Sequence, residues 1–388
     1  MHLAPAPSST HTPTQPTAHD GAELLELLAK ARVAIRNVAA PIDSPDVFPN
    51  EAVEQLRNLG ALCAPLPPHD GGLGWGTVMA CIPALGAALQ ILGTASLSIG
   101  RIYEAHVNAL TLIDRFADVS LRETCSSAVQ GGHLFALWVA PSAEPVRLLQ
   151  AGPTLRLAGT KAFCTAAGHA TRAVVTVVDE RDLERMVVVD ATQSGITCEP
   201  TPQMHGMKNT STKRVGFDVE ISSSQLLGDA GDYLREPEFS VGAWRTSAVT
   251  AGGLRALVDE TISQLRARMR HTDPHQSARI GDMLIKSETA ALWATSVAQR
   301  IAMPSLHEQD VMSFVNLGRA AIEQACMDVI PLVQRSLGLR GLMVSNPVES
   351  MMRDLATYLR QPAGDEALSE AAMWIADHPR GQPPTDSV

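Results

Sequence analysis

The sequence predicts an α+β protein in which a helical stretch, a strand-rich stretch and a second helical stretch follow one another. Three observations predict it. Apolar residues recur at helical spacing over residues 21–131. Short runs rich in Val, Thr, Ile and Phe, broken by Gly, Pro, Asp and Asn, fill residues 134–228. Long Ala-rich segments then occupy residues 237–376.

The first stretch opens with Leu24, Leu25, Leu27, Leu28, Val33 and Ile35, which cluster at helical spacing with charges between them. Val53, Leu56 and Leu59 continue the pattern, and Gly60 is a helix stop. A loop over 65–76 leads to an uncharged run at 78–100, long enough to span a bilayer. Pro83, Gly86, Gln90 and Gly93 interrupt it, and it lies between charged helices. The run therefore reads as a buried helix, or as two helices joined near Gly93-Thr94. Strands are clearest at 134–139, 154–157, 173–178, 186–189 and 214–219, a pattern that suits a small β-barrel or a sandwich. Three long helices at about 240–269, 277–302 and 306–337, with a fourth after Pro347, predict an up-and-down bundle. The expected division is a tail at 1–20, a helical domain at 21–131, a β domain at 132–235, a helical bundle at 236–377 and a second tail at 378–388. The first tail is rich in Pro, Ser, Thr and His and lacks the basic start and apolar run of a secretory signal.

Composition narrows the function. A chain of 388 residues with 45% apolar content builds more than one subdomain. A formal charge of -10 argues against a nucleic-acid groove. Six scattered cysteines, with no paired spacing, favour a reducing, cytoplasmic setting over a disulfide framework or a zinc site. No Gly-rich phosphate fingerprint occurs. The most telling stretch is Leu157-Ala158-Gly159-Thr160-Lys161-Ala162-Phe163-Cys164-Thr165. On an extended chain Phe163 and Thr165 share a face, one offering a flat apolar surface and the other a hydrogen-bonding tip. That pair suits a planar, polar-edged ring such as a flavin; the plain alternative is an ordinary half-buried strand.

Other segments agree with the flavin in a fixed order: Pro67-Pro68-His69-Asp70-Gly71-Gly72-Leu73-Gly74, the strand Phe135-Ala136-Leu137-Trp138, Gln203-Met204-His205-Gly206-Met207-Lys208, and Leu337-Gly338-Leu339-Arg340-Gly341 followed by Arg353-Asp354. In that order they resemble the acyl-CoA dehydrogenase family of flavoproteins over residues 20–375. The resemblance implies an N-terminal helical domain, a central β-barrel domain and a C-terminal four-helix bundle. It implies FAD between the β domain and the bundle, completed by a neighbouring subunit in a homodimer or homotetramer, without membrane insertion. By position, Trp138 and Ala140 would line the flavin, Phe163 would stack on it and Thr165 would bond its edge. Gly338 and Gly341 would let backbone approach the adenine-diphosphate half.

The resemblance also marks departures. The family's dehydrogenases use a Glu a few residues after Arg-Asp, or one on the first bundle helix, to take the substrate's α-proton. Those positions hold Pro362 and Trp244 here. Asp365 and Glu366 are candidate substitutes, or else solvated charges opening the last helix. The superfamily's monooxygenases need no such base but often carry a His after Arg-Asp, where Tyr358 and Gln361 stand. His106 is a further candidate polar group, set against the reading of an exposed or capped histidine. The expected function is flavin-dependent oxidation of a thioester, acyl-CoA among the candidates, or of a similar small substrate, with an electron acceptor. The alternatives are a reduced-flavin monooxygenase or N-oxygenase served by a flavin reductase, and a degenerate flavin-binding scaffold.

Overall fold

The computed structural model describes residues 20–39, 43–44, 47–200, 204–361 and 363–378. Apart from Asp20 and His378, the two expected tails lie outside the described residues, as do Gln203 and Pro362.

Five helices come first: α1 (Gly21–Ala39), α2 (Asn50–Asn58), α3 (Ile82–Ala95), α4 (Leu97–Phe116) and α5 (Val119–Gln130). The spacing read from the sequence has a direct physical outcome in α1, where Leu24, Leu28, Ile35 and Ala39 form the buried stripe. The uncharged run divides into α3 and α4. The break is Ser96, an extended residue whose hydroxyl accepts from the Ile99 N–H at 3.4 Å and so caps α4. Among the described residues no helix is long and apolar enough to cross a membrane.

Eight strands follow: β1 (Phe135–Trp138), β2 (Arg147–Ala151), β3 (Thr154–Cys164), β4 (Arg172–Val178), β5 (Glu184–Asp190), β6 (Ile196–Glu199), β7 (Lys213–Ile221) and β8 (Leu226–Leu227). They form one sheet in the order β6-β7-β3-β2-β4-β5-β8, with β1 parallel to β4. This corrects the expected β-barrel: the sheet is open, and its end strands β6 and β8 do not pair with each other. A barrel needs a continuous staggered ladder around its circumference. Here β2 meets β4 at a single register pair, Arg147 with Val178, and β8 offers β5 only two. Strands that short cannot carry a closing seam. Alternation along a strand sequence is the same in an open and a closed sheet, so it does not report closure.

The remaining helices are α6 (Glu238–Gly242), α7 (Trp244–Ala267), α8 (Pro274–Ile301), α9 (Glu308–Leu337), α10 (Pro347–Tyr358) and α11 (Gly364–Asp377). The three long ones pack on one another, α10 lies against α7, and α11 lies against α9. The stretch read as a fourth bundle helix is thus two helices, broken at Ala363, which sits at φ 55°. One continuous core runs from α1 and α3 through the inner face of the sheet to α7, α8 and α9.

The crossing of α3 and α7 brings two helix backbones into contact at paired glycines. A Cβ on Gly93 would stand 2.1 Å from the Val249 carbonyl oxygen, and one on Gly252 would stand 2.1 Å from that of Gln90. Both obstacles are backbone atoms, which cannot swing aside. Gly252→Ala is therefore expected to destabilise the protein by about 1–3 kcal/mol. Gly281→Ala, where a Cβ meets open space on α8, should be neutral or gain up to about 1 kcal/mol of helix propensity. Equal urea midpoints for the two variants would show that the crossing tolerates a wider spacing.

Candidate functional site

A cavity of about 1350 Å³ opens between α4, the β1 end of the sheet, α7 and α10, and is reached by Glu104, Ala140, Phe163, Trp244, Arg245 and Tyr358. Its polar interior originates in α4. That helix buries most of its apolar residues, yet carries Arg101, Glu104, Asn108 and Thr111 at spacings of three and four, which align them on one face. The stripe turns inward. Glu104 is only 2% exposed.

Four side chains donate to that carboxylate. Arg101 Nη1 and the Tyr358 hydroxyl reach Oε2, each at 2.8 Å. Asn108 Nδ2 and the Thr246 hydroxyl reach Oε1, each at 3.0 Å. Burial pushes the Glu104 pKa up, but Arg101, through its charge and its bond, together with Tyr358 and Thr246, pulls it below the ordinary carboxylate range. The Tyr358 phenol is driven the other way, first by burial and then by the adjacent Glu104 charge, and stays protonated as a donor. Arg245 enters from the first turn of α7. Its Nη1 donates to Asn108 Oδ1 at 3.1 Å, and its Nε is sealed from solvent without an acceptor.

A second carboxylate behaves differently. Glu184, at the start of β5, reaches the same cavity, and its Oε1 is buried without a partner. Burial raises its pKa, opposed only by the charge of Lys161.

The strand motif singled out in the sequence is bent. Pairing between β3 and β7 slips between Lys161 and Cys164, and Phe163 adopts φ 50°. This bulge overturns the expectation that Phe163 and Thr165 share one face, since an extra residue at a bulge breaks the alternation. Phe163 is 59% exposed and faces the cavity, while Thr165 is 4% exposed and does not reach it. Trp138 is likewise in the core: its indole Nε1 donates to the Thr165 carbonyl at 2.9 Å and its ring meets Phe217 edge-on. Of the four strand residues, Ala140 and Phe163 reach the cavity, while Trp138 and Thr165 tie the wall together behind it.

His106 is placed away from the cavity lining and is fully buried. Its Nδ1 accepts from the Phe135 N–H at 3.0 Å, which leaves Nε2 to donate to the Leu62 carbonyl at 2.8 Å. Both nitrogens thus tie α4 to β1 and to the loop after α2. Burial drives its pKa down to about 4, so the ring is neutral. Asp365 and Glu366 are exposed residues of the first turn of α11, and Glu366 also reaches the outer cavity. Gly338 and Gly341 lie on the turn after α9, outside the cavity lining, where Gly338 takes φ 61°. The Pro362 position lies outside the described residues.

The Glu104 constellation is absent from the residue-by-residue expectations. A signal for it existed: a polar stripe on an otherwise apolar helix. That signal says a polar group is buried, but not what it meets, because Thr246 and Tyr358 come from distant parts of the chain.

Residues 23–131 match the family described as acyl-CoA dehydrogenase, N-terminal domain. A probable medium-chain specific acyl-CoA dehydrogenase of Caenorhabditis briggsae is 25% identical over 354 residues, covering 82% of this chain and 81% of that protein. The dibenzothiophene monooxygenase TdsC from a Paenibacillus species superposes with a TM-score of 0.81 at 19% identity, covering 94% of this chain and 99% of that one. The methanesulfinate monooxygenase MsuC of Pseudomonas fluorescens superposes with a TM-score of 0.81 at 17% identity, covering 94% and 98%. At such identities the superpositions establish the fold. They also correct the expectation of FAD, because TdsC has been solved with FMN. FMN lacks the adenine half that Gly338 and Gly341 were expected to approach. The β3 motif was read for an isoalloxazine ring, which FMN and FAD share, so that reading could not distinguish them.

Proposed function

From the premise that this chain belongs to the acyl-CoA dehydrogenase superfamily of flavin-binding enzymes, diverged from the dehydrogenases themselves, we propose that it is a reduced-FMN-dependent monooxygenase of a small organic substrate. The observation that carries the reading is the state of Glu104. A base for α-proton removal needs a free lone pair and a pKa near the working pH. Glu104 is held by four donors and kept ionised well below that range. It is built to organise its neighbours, not to accept a proton.

The cavity fits an isoalloxazine ring. Its volume exceeds what a single drug-sized ligand fills, and the bulge holds the exposed Phe163 ring against it beside the small Ala140. Phe163 and Ala140 would hold the flavin by apolar contact. FMN, when bound and reduced, would supply the electrons for activating O₂. Trp244 and Leu85 wall the cavity with apolar surface that excludes water. The Tyr358 hydroxyl and the Arg101–Glu104 pair give the far wall a fixed polar pattern. The chain has no nicotinamide phosphate fingerprint, so reduced FMN would come from a separate reductase.

The test supplies the purified chain with FMN, NADH, a flavin reductase and isotope-labelled O₂, using dibenzothiophene and methanesulfinate as probes. The expected result is a labelled oxygenated product from at least one of them. Glu184 supports the competing reading, because its unpartnered oxygen and raised pKa are what a base requires. Anaerobic bleaching of bound flavin by butyryl-CoA, lost by about 10²-fold or more in Glu184→Gln, would replace the monooxygenase with a dehydrogenase.

A further inference from the structure

The polar cluster that α4, α7 and α10 share does not balance its charge: it sets Arg101 and Arg245 against Glu104, while Glu184, also on the cavity, is acted on by Lys161 and not by Arg245. Arg101 and Glu104 neutralise each other at 2.8 Å. Around the rim, Arg115 pairs with Glu238, Arg235 with Asp232 and Arg360 with Glu323. Among the described residues Arg245 has no carboxylate of its own. Its bonded partner is the neutral Asn108 amide, its guanidinium lies 5.7 Å from the Trp244 ring, and its Nε is buried without an acceptor. Glu104, the anion acting on it, is already committed to four other donors.

Two further facts bear on the charge there. Arg245 stands in the first turn of α7, a helix of 24 residues with no acid in that turn, and the helix dipole places its positive end there. Burial lowers the Arg245 pKa to about 10, with Glu104 opposing, so the side chain is cationic at neutral pH. A half-buried guanidinium whose nearest anion is already bonded to four other donors carries a desolvation cost that is only partly compensated. A planar fork of donors matches a carboxylate or sulfonate in shape as well as in charge.

We propose that Arg245 is the anchor for an organic oxyanion, the carboxylate or sulfonate-type head group of the substrate, seated in the cavity between α4, α7 and α10. This deepens the proposed function by naming its substrate class, and the site would serve the same group if the reaction were a dehydrogenation. Asn108 orients the guanidinium. The Arg101–Glu104–Tyr358 cluster keeps the neighbouring charge neutral, so that the attraction is concentrated on Arg245. Trp244 and the apolar wall receive the organic body.

Tryptophan fluorescence and calorimetry on the flavin-free chain test this without turnover. The probes are benzoate and methanesulfonate against their uncharged counterparts benzamide and dimethyl sulfone. At least one anion is expected to bind about tenfold or more tighter than its neutral partner. Arg245→Met should erase that preference, and Arg245→Lys, which keeps the charge but not the fork, should retain part of it. Circular dichroism of both variants establishes that they are folded. Equal binding of charged and neutral probes, or a preference that survives Arg245→Met, overturns the proposal. A second arm compares FMN with riboflavin. If Arg245→Met weakens FMN and leaves riboflavin unchanged, the oxyanion held is the FMN phosphate and the substrate assignment is wrong. Absence of oxygenated product, with the anion preference intact, would sink the monooxygenase reading and leave this one standing.

Discussion

Glu104→Leu is expected to destabilise the protein by about 3–5 kcal/mol. The substitution removes the acceptor of four donors at once, and the residue is only 2% exposed. It leaves Arg101 and Arg245 facing each other's charge with no anion between them, and strips Tyr358 of its partner. The lower end of the range is the better expectation, because the Arg101 side chain keeps 29% of its surface and solvent screens part of the loss. Glu104→Gln keeps the shape and one of the two acceptor oxygens while deleting the charge, and should cost less. Urea unfolding of the three proteins measures this. A Leu variant within about 1 kcal/mol of wild type would mean that the cluster contributes little to stability, and that its bonds form only as the chain packs for other reasons.

The second large effect is acid sensitivity through His106. In the unfolded chain its pKa is the ordinary value of about 6.5, whereas burial holds it near 4 in the folded protein. Below about pH 6.5 the unfolded chain therefore takes up a proton that the folded chain refuses. The stabilisation is complete above that pH and drains away as pH falls towards 4, by up to about 3 kcal/mol. His106→Gln should be less stable at pH 7, since Leu62 and Phe135 lose well-placed partners. It should also show a shallower fall in stability between pH 7 and pH 5. Parallel pH profiles for wild type and variant would mean that the histidine is hydrated or already protonated.

His106 also illustrates what a sequence leaves undetermined. Its neighbours on α4 show that the helix is buried on most of its surface, and that much follows from periodicity alone. The two groups that occupy its nitrogens are the Leu62 carbonyl and the Phe135 amide. They belong to segments whose side chains say nothing about where their backbone points.

The order of helices and strands and the buried stripe of α1 were legible because each depends on neighbours within about a dozen residues. Hydrophobic spacing, Gly and Pro breaks and a charged first turn act over that range. The likeness of scattered motifs was legible for a related reason, since each motif is local and only their sequence order had to be read. Barrel closure was not local. It depended on whether β6 could reach β8, and the one-pair contact between β2 and β4 and the two-residue β8 decided against it. The face of Phe163 was not local either, because the bulge arises from register with β7, about fifty residues away. The site was least legible of all. Arg101 and Glu104 lie three residues apart and could be paired on paper. Thr246 and Tyr358 arrive 142 and 254 residues later in the chain. Their convergence leaves Glu104 satisfied and Arg245 in surplus within that cluster, because local charge balance is a sum over whatever the tertiary fold brings together.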